Sequence, residues 1–125
     1  MLIKVALLSI GGAIGALLRY GIGGAVYKFT GTHFPFGTLA VNVVGCLLIG
    51  FLGVLYQEKF LFGPNMRLFL MIGILGAFTT FSSFGYETWE LVKASEWIKA
   101  GLNVFLSVAL SFIGLWVGVI IGRLI

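Results

Sequence analysis

The sequence predicts an all-α integral membrane protein with four transmembrane helices, the third broken near midmembrane. Composition is the first ground: of 125 residues, 60% are hydrophobic and only 10% are charged, where soluble domains carry about 25% charged residues. Mean hydropathy is +1.14. A second ground is that long apolar segments recur along the whole chain, parted by short polar connections. That recurrence excludes a signal peptide followed by a soluble domain. A soluble helical protein would have to bury four nearly charge-free segments in a chain whose surface outweighs its volume. The third ground is Gly73–Tyr86 (GILGAFTTFSSFGY), which lies inside an apolar segment yet is dense in glycine and hydroxyl residues. Lipid offers no partner for a hydroxyl or for a backbone group freed by a helix break. This run must face another helix, another subunit or a water-lined path.

The first helix is expected over about residues 3–27. Gly11 and Gly15 stand four apart on one face, a spacing that lets membrane helices approach closely. Arg19 follows the apolar run Ala13–Leu18 and admits two readings. Either it snorkels as a headgroup-level anchor, or it brings positive potential to the mouth of a polar path, where an acid such as Glu87 could pair with it. The connection Lys28–Phe36 carries Gly31 and Pro35 as breakers, and His33 within it reads as solvated or interfacial. Pro35 suits the first turn of the next helix.

The second helix is expected over about residues 36–56. Thr38 and Asn42 share a face by their four-residue spacing. Asn42 is either glue between helices or a pore-lining donor; the polar run's need for partners favours lining. Gly45, Gly50 and Gly53 permit close packing. Gln57–Arg67 forms the second connection, with a turn at Gly63-Pro64-Asn65.

The third helix is expected over about residues 68–91. Its first half, LFLMIGIL, reads as ordinary lipid-compatible helix, whereas the glycines and hydroxyls from Gly76 onward predict an unwound turn. Discontinuous membrane helices expose carbonyls that coordinate a cation and amides that face an anion. Glu90 reads as an interfacial anchor, and Glu87 as an acid close enough to the polar run to be buried against Arg19. The third connection, Lys93–Lys99, carries Trp97 as an interfacial aromatic. The fourth helix is expected over about residues 100–122. Asn103, Ser107 and Ser111 form a polar line at four-residue spacing, continued by Gly114, Gly118 and Gly122. The two serines line the path or satisfy their hydroxyls on the carbonyl one turn back.

The net charge of +4 does not point to nucleic acid, because the eight basic residues are scattered singly near segment ends. A polyanion site needs them clustered. Cys46 is the single cysteine, so it forms no intrachain disulfide, and one cysteine with one histidine does not make a zinc site. Four crossings place Lys4, Lys59, Arg67 and Arg123 on one side. Lys28, Lys93 and Lys99 fall on the other, with Arg19 toward it. With the charges balanced, the positive-inside rule selects neither orientation. A chain free to insert either way can pair with an inverted copy, and four short helices do not easily enclose a hydrated path alone. The expectation is an antiparallel homodimer in the lipid bilayer.

The candidate lining consists of Thr38, Thr80, Ser82, Ser83, Ser107 and Ser111, the Asn42 amide, and the rings of Phe81 and Phe84. It holds no ring of carboxylates such as cation channels use. Hydroxyl and amide donors can replace the water around a small anion. Phenyl edges are electropositive, although phenyl faces suit a cation. No nucleophile with an adjacent base, phosphate loop or acid pair is present, so the chain does not read as an enzyme.

On these residues the chain resembles the CrcB/Fluc family of fluoride channels. Gly76–Phe84 (GAFTTFSSF) is similar to the family's signature stretch, commonly GGxTTFSTF. The stretch GGAIGALLRY ending at Arg19-Tyr20, the stretch PFGTLAVNVVG containing Thr38 and Asn42, and Glu87 after the signature extend the likeness over essentially the whole chain. Ala77 stands where a second glycine is frequent and Ser83 where threonine is; one adds a methyl, and the other keeps the hydroxyl. The resemblance implies an antiparallel, dual-topology dimer with two parallel paths that exports fluoride passively across a prokaryotic cell membrane. It implies that Phe81, Phe84 and Asn42 line the paths, with Ser107 and Ser111 as a polar track. It further implies that the carbonyls of Gly76 and Thr79 hold a structural Na+ on the dimer axis. Arg19 and Glu87 match the family's early arginine and its acid after the signature. Two other readings compete. A small multidrug-type or cation transporter would need a membrane-embedded carboxylate, for which Glu87 is the one loose candidate. A membrane adaptor would not need these polar residues to converge.

Overall fold

In a computed structural model describing residues 1–125, the chain is wholly helical outside its connections. Helix α1 spans Leu2–Thr30, α2 Phe36–Gln57, α3 Pro64–Arg67, α4 Leu75–Phe78, α5 Phe81–Lys93 and α6 Trp97–Leu124. A π-helical stretch, Leu68–Ile74, joins α3 to α4. Four stretches are long and apolar enough to cross a membrane: Leu2–Thr30, Phe36–Gln57, Pro64–Lys93 and Trp97–Leu124. The shortest has 22 residues, about 33 Å of helix against a hydrocarbon core of about 30 Å. The protein is a multi-pass membrane protein. Each helix runs a few residues beyond its expected apolar core, because polar ends such as Lys28 and Lys93 continue the hydrogen-bond ladder past the hydrophobic stretch.

Only 20 of the 125 residues are buried. Apolar side chains such as Leu17, Phe105, Phe112 and Trp116 therefore cover the outside, where lipid solvates them. The interior is held by small residues instead of a large core. Without a hydrophobic drive between helices in lipid, close van der Waals packing is the main cohesive term. α6 lies along α2 through Gly114, Gly118 and Gly122: a Cβ on Gly114 would stand 3.0 Å from the Val43 carbonyl oxygen, and one on Gly118 would collide with that of Leu47. From the other side, Gly50 meets the Leu115 carbonyl. α1 lies along the third crossing in the same way, Gly11 against Phe69 and Gly15 against Ile74. Both small-residue seams read from the sequence are thus helix–helix contacts. Between them sits a small apolar cluster of Val41, Leu75 and Phe78, with Ile49 and Leu52 packed on it.

The first half of the third crossing differs from the expectation of ordinary helix. Leu68–Ile74 is π-helical, and its last turn closes with Leu75 N–H donating to the Leu70 carbonyl. Gly11 and Gly73 account for the fit: a Cβ on either would come within 3.1 Å of the other's Cα. The wider turn carries the crossing's backbone against α1 at a point where neither chain has a side chain. π turns are a recurrent device near functional sites. Glu58 closes the membrane-face end of the α2–α6 pair, accepting from Arg123 Nε at 3.1 Å and Nη2 at 2.7 Å. The hydrogen bond from Arg123 holds the Glu58 carboxyl below the usual carboxylate range. The clasp's small contribution is present above the unfolded carboxylate value and fades as pH falls through the lowered folded one.

Gly118→Val should drive a branched side chain into the Leu47 backbone, and overpacking of this kind costs about 1–3 kcal/mol. Tryptophan-monitored unfolding in detergent is expected to show the loss. Gly12→Ala, whose added carbon meets nothing within 4 Å, is expected to unfold like the parent.

Candidate functional site at the helix break

Between α4 and α5 the backbone leaves the helix for two residues. Thr79 has φ −87° and ψ 159°, and Thr80 has φ −152° and ψ 117°, both extended. Glycine and hydroxyl residues explain the local change. A hydroxyl can take over a bond that the ladder gives up, and Thr80 does so as the N-cap of α5, accepting from Ser83 N–H at 3.2 Å. Thr79 Oγ1 donates back to the Leu75 carbonyl at 3.0 Å.

Asn42, from α2, completes the arrangement. Its Oδ1 accepts from Thr80 N–H at 2.8 Å, and its Nδ2 donates to the Thr80 carbonyl at 3.0 Å. One side-chain amide thus replaces both ladder bonds of a residue in the break. It also takes the N–H that an unbroken helix would give to Gly76. No turn, cap or side-chain donor reaches the carbonyl oxygens of Gly76 or Thr79. Two bare carbonyls of this kind are hard oxygen ligands, suited to a cation such as Na+. No cluster of His, Cys, Asp or Glu offers a competing metal site.

Two cavities flank the bridge. The larger, about 380 Å³, is an apolar groove that holds Asn42, Gly76, Thr79, Thr80, Phe81, Phe84, Ser107 and Ser111. Eight of the thirteen residues singled out from the sequence therefore meet here, although they come from α2, α4, the break, α5 and α6, whereas Ser82 is exposed and lines neither cavity. The Phe81 and Phe84 rings lie 5.5 Å apart by centroid and tilted by 58°. Phe81 is 83% exposed in the single chain. The smaller cavity, about 240 Å³, lies across the bridge and is lined by Arg19, Thr38, Thr80 and Ser83. Thr80 belongs to both.

Arg19 and Glu87 do not pair within the chain. Arg19 Nε donates to the Ala77 carbonyl at 3.0 Å, which anchors α1 to the last turn before the break. Glu87 accepts from Thr38 Oγ1 at 2.7 Å, and its Oε2 is buried without a partner. The shared break explains the separation: the Ala77 carbonyl near the break offers the guanidinium an acceptor closer than the acid. Thr38 is accordingly a tether to α5 as well as a lining hydroxyl.

Further groove residues were not singled out from the sequence as lining. Cys46, Ile49, Val108 and Phe112 share its wall. Cys46 and Ile49 follow Asn42 by four and seven positions, a helical spacing that marks them as its neighbours.

Proteins already known share this chain's sequence over most of its length. The family model described as CrcB-like protein, Camphor Resistance (CrcB), matches residues 6–119. A fluoride-specific ion channel FluC of Geobacter sulfurreducens is 47% identical over 112 residues, covering 90% of each chain. One of Coxiella burnetii is 45% identical over 123 residues, covering 96% of this chain and 98% of the relative. One of Desulforapulum autotrophicum is 43% identical over 122 residues, covering 98% of each.

Asn42→Ala should leave both Thr80 backbone groups without partners, at about 1–3 kcal/mol per group. Amide exchange at Thr80 is expected to rise at least about tenfold, while amides in the middle of α6 keep their protection. Unchanged exchange at Thr80 would show that the bridge does not hold the break.

Proposed function

This chain belongs to the CrcB-like family, and from that premise we propose that it is a fluoride-selective channel that releases fluoride from the cell passively. The observation that carries the reading is convergence: two phenyl rings, the Asn42 amide and the hydroxyls of Ser107 and Ser111 line one groove beside a helix break. Relatives at 43% and 47% identity bear the name fluoride-specific ion channel. Those relatives are named as channels, and the protein is not an enzyme. The multidrug-type or cation transporter is disfavoured, because Glu87 is tied to Thr38 and lies outside the lining of both the groove and the smaller cavity.

Fluoride is small and strongly hydrated, so a path must offer it donors in place of water at each step. Arg19 raises the positive potential in the smaller cavity, and the hydroxyls of Thr38 and Ser83 give an entering anion its first contacts. Thr80 and Asn42 mark the wall between that cavity and the groove. Beyond it, the edges of Phe81 and Phe84 and the hydroxyls of Ser107 and Ser111 take over. The membrane potential drives the exit, contributing about 2.3 kcal/mol per charge per 100 mV. No coupling machinery is required.

The reading includes a second, inverted copy. The groove is open on one side and Phe81 is largely exposed; an anion there would otherwise face lipid. The basic residues divide evenly between the two faces, which lets the chain insert both ways. In an antiparallel homodimer with the break at midmembrane, the free carbonyls of Gly76 and Thr79 from both copies would hold Na+ between them. That ion would supply fixed positive charge and join the two breaks.

Liposomes holding the purified protein are expected to release fluoride and retain chloride. Phe81→Ile and Asn42→Asp should each lower the fluoride flux at least about tenfold, a loss of about 1.4 kcal/mol in the barrier. Chloride passing as readily as fluoride sinks the selective reading. A protease-cleavable tag at the C-terminus should be cut in about half of the molecules from either face of a native vesicle; cutting from one face alone excludes antiparallel pairing.

A further inference from the structure

α5 carries Phe81 and Phe84 but has no fully buried residue of its own. Its position against the bundle depends on polar ties. Asn42 fixes its start through Thr80, and Thr38 reaches Glu87 from α2. The third tie comes from α6, where Asn103 Nδ2 donates to Thr88 Oγ1 at 2.9 Å. Asn103 is 1% exposed, the most enclosed polar side chain in the protein.

This tie has a direction that is set by backbone chemistry. Thr88 Oγ1 gives its one proton to the Phe84 carbonyl at 2.8 Å. A carbonyl only accepts, so the threonine hydroxyl can only accept from Asn103. That requirement turns the amide so that Nδ2 faces Thr88 and Oδ1 faces the next turn of α6. There Ser107 Oγ donates to Asn103 Oδ1 at 3.3 Å. The chain of bonds starts at the carbonyl of one groove residue and ends at the hydroxyl of another. Its last bond is the longest, and so the weakest.

We infer that Asn103, acting through Thr88, is a positioning residue that seats Phe84 and poises the Ser107 hydroxyl to donate its hydrogen bond to a passing anion. With no ion present, Asn103 Oδ1 holds that proton loosely. When an anion enters, the hydroxyl turns toward it and gives up only the long bond. Without Asn103, the serine would bond the carbonyl one turn back on its own helix, a firmer partner that points its proton away from the groove. This inference rests on the reading of Phe84 and Ser107 as lining a fluoride path.

Fluoride efflux from liposomes tests it with two sets of variants. Thr88→Val, which breaks the relay, should lower the flux about tenfold, and Thr88→Ser, which keeps the hydroxyl, should restore parental flux. Asn103→Leu and Ser107→Ala should each lower the flux, and the double variant should be no slower than the slower single one. Equal loss in Thr88→Val and Thr88→Ser, or losses that multiply in the double variant, overturns the inference. If Asn103→Leu does not fold, the Thr88 pair decides. A parent that conducts no fluoride defeats the channel reading and not the relay, which is then read by NMR. The Asn103 side-chain amide protons should be protected from exchange in the parent and Thr88→Ser, and exposed in Thr88→Val. Equal protection in all three overturns the relay.

Discussion

Everything near the third crossing follows from one constraint: in a bilayer, a backbone group that leaves the helix ladder finds no water to replace its partner. The break at Thr79 and Thr80 creates such groups, and side chains from α1, α2 and the break itself meet several of them. Asn42 takes both backbone groups of Thr80, the Thr80 hydroxyl caps Ser83, and Arg19 covers the Ala77 carbonyl. What these partners leave uncovered is as informative as what they cover. Gly76 and Thr79 keep their carbonyl oxygens without a hydrogen-bond donor, and both residues line the groove. In the proposed dimer, a cation shared with the second copy would give these two acceptors a partner.

The same constraint explains why the packing relies on glycine. Asn42 must reach the break from α2, and Arg19 must reach it from α1. Neither reach is possible unless those helices lie close to the third crossing and to each other. Gly15 sits against Ile74 just before the break, and Gly45 sits against the Thr79 side chain within it. On the far side of α2, Gly114 and Gly118 hold α6 near enough for Ser107 and Ser111 to join the same wall. The seams are therefore part of the site, because they set its width. If the groove is the fluoride path proposed above, its exclusion of larger anions depends on that width being held by backbone contact, which yields less than side-chain contact.

Much of this was legible in the sequence, for identifiable reasons. Four apolar stretches with few charges have one solution in lipid. A run of glycine and hydroxyl residues within such a stretch marks a place where the helix yields. Asn42, Ser107 and Ser111 could be placed on shared faces by four-residue spacing, and Phe81 and Phe84 by their place after the break. The π-helical turn over Leu68–Ile74 was not legible, since its cause is the approach of Gly11 to Gly73, a contact between residues far apart in the chain. Nor did composition decide between Arg19 pairing with Glu87 and bonding a carbonyl. Opposite charges suggest a pair, but the broken helix supplies a free acceptor that no residue type advertises. Asn103 stood on the polar line of the fourth helix, yet its value depends on Thr88, whose hydroxyl looks ordinary until α5 and α6 are brought together.

In the proposed assembly, one copy is only half of a device. Its polar residues do not surround a pore; they coat one wall, and the opposite wall is absent. A soluble protein would close such a groove by burying it. Here the open groove carries Phe81 together with Ser111, a mixture that suits neither pure lipid nor water. A surface of aromatic and aliphatic groups around a few hydroxyls suits another protein surface of the same kind. The inverted copy proposed above would supply it with no new sequence. In that proposed dimer, inversion would also place each copy's break opposite the other's, so that the bare carbonyls would converge and the half-lined grooves would fall on opposite sides of the axis. Two paths, rather than one central pore, would then be the geometric consequence of assembling a one-sided site by two-fold symmetry.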